Sequence, residues 1–295
     1  LYTAGNSFKT AALSFLLPAF NFDKDINDVR SNGMKVIVDM YNSLKNFIPG
    51  HIGRYDDSFE PRAFGDNFVK WGTSSILIES GGWKNDYEKQ FVRKLNYLAI
   101  LTGLYSMATG NYANNNIEDY FAIPENNNVL YDMLIHNVKT VIADSIIVTD
   151  IAINRSEITD KSKKAYFKSS ITEFGDISTS FGNEEYCFDS MYVSPGKVYD
   201  KEFENISDLD EIDFDALLSN GYCYVKVKNI PKELHFTKYP INIVSPDFKV
   251  NTEVSLGMPA NFVITENNKT RYIIINGFLY DILIKKSYIY NSIIL

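Results

Sequence analysis

A single carboxylate, Glu79, closes the apolar run Thr73 to Ile78 and stands just ahead of Gly81-Gly82. The run reads as a strand and the diglycine as the turn into a helix, so the acid sits at the carboxyl end of a strand. In open α/β sheets ligands bind beyond that end. Ile76 and Ile78 would partly desolvate the carboxyl and raise its pKa, which suits proton shuttling. A strand-end acid that is merely solvated, or that caps the next helix, satisfies the same pattern.

The other reactive side chains form no comparable arrangement. His51, His136 and His235 are far apart, and His51-Ile52-Gly53-Arg54 lacks the acid of a His-x-x-Glu metal pair. Cys187 and Cys223 have no ligand at short spacing and cannot build a disulfide framework. Gly81-Gly82 is not a phosphate-binding fingerprint. The net charge of -8 disfavours a nucleic-acid partner. No apolar run approaches the roughly 20 residues that cross a bilayer, so no membrane span is expected.

Around Glu79 the chain alternates strand and helix. Ala12 to Leu17, stopped by Pro18, reads as a buried strand. Asp25 to Phe47 carries Ile26, Val29, Val36, Ile37, Met40, Leu44 and Phe47 at helical spacing, and Pro49-Gly50 ends it. Residues 50–68 read as a long irregular segment of functional type, with His51, Arg54, Tyr55, Phe59, Arg62, Phe64 and Asp66. A helix is expected from about Asp86, with Asn85 and Glu88 at capping-box spacing, an inward stripe of Phe91, Leu95, Leu98, Thr102 and Tyr105, and Gly110 as its end. Asn114-Asn115-Asn116 and Asn126-Asn127-Asn128 then bracket a polar linker. Beyond it lie β-branched and aromatic runs at Leu130–Ile135, Ile146–Ile153, Tyr222–Val227, Phe262–Ile264 and Tyr272–Ile275, separated by turns such as Pro195-Gly196 and Asn276-Gly277. Only Leu209 to Leu218 looks helical there. Charge divides the same way: residues 1–115 are nearly balanced, and the remainder carries the acidic excess.

The run Trp71-Gly72-Thr73-Ser74-Ser75-Ile76-Leu77-Ile78-Glu79-Ser80-Gly81-Gly82 resembles the catalytic-glutamate strand of the zinc carboxypeptidase family, carboxypeptidase A type. Ala4-Gly5-Asn6, Pro18-Ala19-Phe20-Asn21, Gly53-Arg54-Tyr55 and Arg62-Ala63-Phe64-Gly65-Asp66 are similar to a bacterial branch of it. The resemblance covers about residues 1–112. It implies a peptide substrate, zinc as cofactor, and Glu79 as the general acid/base that takes a proton from metal-held water and returns it to the departing amine. It further implies Asp66 as the acid lining the pocket for the terminal side chain and Tyr55 as the mobile tyrosine that covers bound substrate. Apart from the resemblance, Arg62 and Arg54 are candidates to hold a substrate carboxylate, with ordinary exposed arginines as the alternative. The family's zinc ligands, a His-x-x-Glu and a later His, have no counterpart here. With Leu1 in place of an initiator Met, the reading is an inactive fragment whose zinc ligands lie upstream, from an exported, extracytoplasmic protein.

More faintly, Asp132-Met133-Leu134-Ile135, Thr149-Asp150-Ile151-Ala152-Ile153, Gly175-Asp176-Ile177-Ser178 and Val193-Ser194-Pro195-Gly196-Lys197-Val198-Tyr199 resemble the first part of the composite β-sandwich of amidohydrolases. Leu256-Gly257-Met258-Pro259-Ala260-Asn261-Phe262-Val263-Ile264 and Tyr272-Ile273-Ile274-Ile275-Asn276-Gly277 are similar to its closing part. The expected fold class is thus α/β: the C-terminal part of a carboxypeptidase-like mixed-sheet domain over 1–112, a linker over 113–128, and a β-rich, sandwich-like accessory domain over 129–295. The expected function is zinc-dependent peptide hydrolysis in the complete protein. The alternative is a non-enzymatic binding or scaffold protein that keeps the peptidase fold.

Overall fold

A computed structural model describes residues 2–84, 86, 88–142, 144–161, 165–284 and 292–295. The chain divides into two compact units, Leu1–Leu130 and Tyr131–Leu295. The first is mixed α/β with small sheets; the second is β-rich and built on an eight-stranded mixed sheet.

In the first unit the order is β1 (Thr3–Ala4), β2 (Leu13–Leu16), α1 (Asp28–Leu44), β3 (Ile52–Arg54), α2 (Phe64–Lys70), β4 (Leu77–Ser80), α3 (Gln90–Thr109), α4 (Ile117–Phe121) and β5 (Asn126–Asn127). Strand β2 is central: β3 pairs parallel on one side and β4 antiparallel on the other. Leu13 and Phe15 are fully buried and join the core formed by Met34, Ile37 and Leu44 of α1. Helix α1 starts where the Asn27 side chain accepts the Arg30 N–H, so the expected start at Asp25 shifts inward and leaves Ile26 and Phe47 exposed.

Three expectations for this unit are corrected. Trp71-Gly72-Thr73 does not begin a strand: the Thr73 N–H bonds back to the Phe68 carbonyl and Gly72 takes a positive φ of 94°, which closes α2. That helix lies inside the segment expected to be irregular, and β4 starts only at Leu77. Lys89, in the left-handed region, is the N-cap residue of α3, and the two carboxylate oxygens of Asp86 upstream accept the N–H groups of Phe91 and Val92; the expected Asn85 lies outside the described residues. The inward row of α3 is Val92, Leu95, Ala99, Gly103 and Ser106, while Tyr105 faces out. Small residues are needed here, since a Cβ on Gly103 would lie 2.1 Å from Met40 Cε on α1. Gly110 ends the helix in the left-handed region, as expected.

The stretch expected as a linker is folded onto the first unit. Tyr120 is fully buried, Ile123 nearly so, and β5 pairs antiparallel with β1. The Arg54 guanidinium reaches Glu125 at 2.7 Å and lies over the rings of Tyr120 and Phe121. The boundary therefore falls at 130/131.

The second unit contains β6 (Leu130–Ile142), β7 (Ser145–Thr159), β8 (Ala165–Gly175), β9 (Phe181–Cys187), β10 (Tyr192–Pro195), β11 (Lys197–Asn205), α5 (Phe214–Ser219), β12 (Tyr222–Asn229), β13 (Phe236–Thr237), β14 (Asn242–Val244), β15 (Phe262–Glu266), β16 (Lys269–Ile275), β17 (Phe278–Asp281) and β18 (Ser292–Ile293). The large sheet runs β17-β16-β15-β10-β6-β7-β8, with β9 also on β6; β10 and β6 are parallel. Asn276-Gly277, both at positive φ, make the tight turn between β16 and β17. A second sheet, β11-β12-β14, is parallel throughout. It is apolar on both faces: Val225, Val227, Ile241 and Ile243 meet Leu217 of α5, while Cys223, Tyr224 and Val244 share a core with Val263, Ile273 and Ile275 of the large sheet.

Candidate functional site

Glu79 lies on β4 in register with Ser14 of β2, which pairs on its other side with Gly53 of β3. Residues opposite one another in a sheet project to the same face, so the carboxylate shares a face with Ser14 and Gly53. Over that face lies Asn126, which exchanges hydrogen bonds with the Ser14 hydroxyl at 2.8 and 3.0 Å. Gly53 must lack a side chain, because a Cβ there would stand 2.0 Å from Asn126 Oδ1. The diglycine has an equally local reason: a Cβ on Gly81 would fall 1.8 Å from the Ala11 carbonyl oxygen.

Two premises about Glu79 change. Strand β4 runs antiparallel to β2, so its last residues lie beside the start of β2 and not at the rim where the parallel strands β2 and β3 end. The argument from that rim does not reach this carboxylate. Glu79 is also exposed rather than desolvated by its isoleucine neighbours, and among the described residues it has no hydrogen-bond or ion-pair partner.

Of the other expected site residues, Tyr55, just past the end of β3, is brought within electrostatic reach of Glu79. Its phenol is pushed above the ordinary tyrosine range first by hydrogen bonding to Tyr2, then by that tyrosine's charge and by burial, with the Glu79 and Asp56 carboxylates adding to it. The Tyr2 ring meets it edge-on at 5.7 Å. Asp66 is buried on α2 and accepts the Glu60 N–H at 3.4 Å. Arg62 is exposed, and its guanidinium is taken by Glu60 through two contacts of 2.9 and 3.1 Å, which hold the Glu60 carboxyl down at about 2. No contact links Asp66 or Arg62 to Glu79. Arg54 is buried and paired with Glu125.

The histidines have structural partners. His51 Nδ1 meets the Thr10 carbonyl at 2.7 Å and its ring packs on Trp83; burial pushes its pKa down. His136 faces Asp150, and His235 stacks on Tyr166. Among the described residues no three His, Cys, Asp or Glu side chains converge, so these residues do not by themselves fit a zinc ion. Sequence reasoning missed Tyr2 as the partner of Tyr55 and Asn126 as the partner of Ser14, because the long-range pairing of β1 with β5 is signalled by no local pattern.

The chain was compared with family models, curated proteins and solved structures, and matches none of them.

Proposed function

We propose that the first unit carries the proton-transfer group of a zinc-dependent peptide hydrolase of the carboxypeptidase type. The observation that supports this reading is the state of Glu79: a free, exposed carboxylate on an ordered strand, with Tyr55 within its electrostatic reach. Such a group can take a proton from an attacking water and return it to the leaving amine, while Tyr55 can close over a peptide lying beside Glu79. The metal is supplied by groups other than the described residues of this chain. The carboxypeptidase-like character of the first unit and the sandwich-like, accessory character of the second belong to this reading, as does an extracytoplasmic location.

The test is release of the terminal residue from a blocked dipeptide by the whole gene product loaded with zinc. Glu79→Gln should lower turnover by about 10²–10⁴ while zinc content and melting temperature stay unchanged. Unchanged turnover in Glu79→Gln would refute the assignment. A second reading, a binding or scaffold protein, is favoured by the lack of three converging metal-ligating side chains among the described residues. Zinc-loaded protein that binds the dipeptide without cleaving it would support that reading.

A further inference from the structure

The second unit contains a polar device that the hydrolase reading does not use. The chain between β14 and β15, residues 245–261, is irregular and walls a cavity of about 180 Å³. Asn261 and Tyr224, each 6% exposed, line it together with Ile171, Phe248 and Met258. The orientation of the Asn261 amide is fixed. Its Oδ1 accepts the Asn242 amide at 2.7 Å and the Asn276 backbone N–H at 2.6 Å, so a flip would break both bonds. That leaves Nδ2 as a buried donor, and among the described residues it has no hydrogen-bond partner. The Tyr224 hydroxyl lies alongside: burial pushes the phenol up, and the nearby Asn261 amide pulls it down.

An unpaired buried N–H is costly, and native structures leave few of them. Beside Asn261 and Tyr224 the cavity is bordered by the polar side chains of Lys249, Asn251 and Glu253, and the rest of its lining is apolar. We propose that the cavity binds a small aliphatic molecule ending in an oxygen acceptor, a carboxylate or an amide carbonyl, with the oxygen on Asn261 Nδ2 and the Tyr224 hydroxyl and the carbon body against Ile171, Phe248 and Met258. The volume suits a group of about six to eight heavy atoms, well below a drug-sized pocket. Lys249 and Glu253, of opposite charge, both border the cavity, so acceptor chemistry rather than net charge selects the ligand.

The test follows the side-chain amide signals of Asn261 by ¹H–¹⁵N NMR in the whole protein during titration with butyramide, butyrate and butylamine. Butyramide or butyrate should shift those signals saturably, with a dissociation constant of about millimolar order for so few atoms. Butylamine, similar in size but carrying a donor in place of the acceptor, should not. Tyr224→Phe should weaken binding about threefold or more. Asn261→Asp, which keeps the accepting oxygen and exchanges the donor for a second acceptor, should abolish it; if that variant fails to fold, Tyr224→Phe and the direct shift at Asn261 decide. Absence of a saturable shift, equal binding of butylamine, or undiminished binding in Tyr224→Phe would overturn the proposal.

Discussion

Glu79 stands directly across the sheet from Ser14, and only one of the two is free: Ser14 is buried and bonded to Asn126, while the Glu79 carboxylate is exposed. An exposed side chain with no partner contributes little to stability. Glu79→Gln should therefore leave urea unfolding within about 0.5 kcal/mol of the parent protein. The same substitution removes one of the negative charges that hold the Tyr55 phenol up, so ultraviolet titration should show one tyrosine ionising at lower pH. An unchanged tyrosine profile would argue against the closeness of the two groups.

Gly53→Ala places a methyl group on Asn126 Oδ1 and should cost about 1–3 kcal/mol. Asn126→Ala leaves the buried Ser14 hydroxyl without its partner and should cost about 1 kcal/mol alone. Because the second change removes the obstacle to the first, the double variant should be more stable than the two losses added together. A double-mutant cycle in urea measures the coupling, and strict additivity would contradict the contact.

Arg30 is 1% exposed and its charge is met by Asp57, which also takes Lys24 at 2.7 Å. Burial pushes the Asp57 carboxyl up, but Lys24 and Arg30 together outweigh it and hold the group below its usual value. The folded value is depressed, so the stabilisation is present above the unfolded value near 4 and is lost as pH falls through the folded one. Asp57→Ala should cost about 3–5 kcal/mol near pH 7 by leaving the guanidinium unpaired. Below about pH 4 the gap between variant and parent should narrow, as urea midpoints at successive pH values would show.

Helix α3 turns Tyr97, Ile100, Leu101, Leu104 and Tyr105 outward, each at least 50% exposed. An apolar stripe of that length promotes self-association. Leu104→Glu should reduce light scattering of concentrated protein while shifting stability by no more than about 0.5 kcal/mol. Scattering equal to that of the parent would show that the stripe is not the adhesive surface.

A polypeptide ending at residue 112 loses α4, β5 and Glu125, and with them the partners of β1 and Arg54. One ending at residue 130 keeps them. The longer piece should melt cooperatively and well above the shorter, by circular dichroism; equal melting would return residues 113–128 to the status of a spacer.

What was legible in the sequence followed from periodicity. Leu13 to Leu16 and the body of α1 announce themselves through apolar spacing, and the runs at Tyr222, Phe262 and Tyr272 all lie on strands. Misreadings came where a distant partner or a small side chain decides. Thr73 is β-branched yet bonds to Phe68, and Tyr105 looks like a core residue until Ala99 and Gly103 take the packing row against α1. The asparagine clusters look like a loop, but Tyr120 and Ile123 between them are buried. For the candidate site, Glu79 was visible as an acid ending an apolar run. Its antiparallel setting and the cover from Asn126 depend on pairing across more than sixty residues.

Thr3 pairs with Asn127, so β1 and β5 lie side by side. The segment between these two strands can therefore be rejoined through a short linker and reopened elsewhere on its surface with little disturbance to its own core. The new opening would best be placed at Pro49-Gly50, an exposed turn lying outside both the β1–β5 pair and the sheet that carries Glu79.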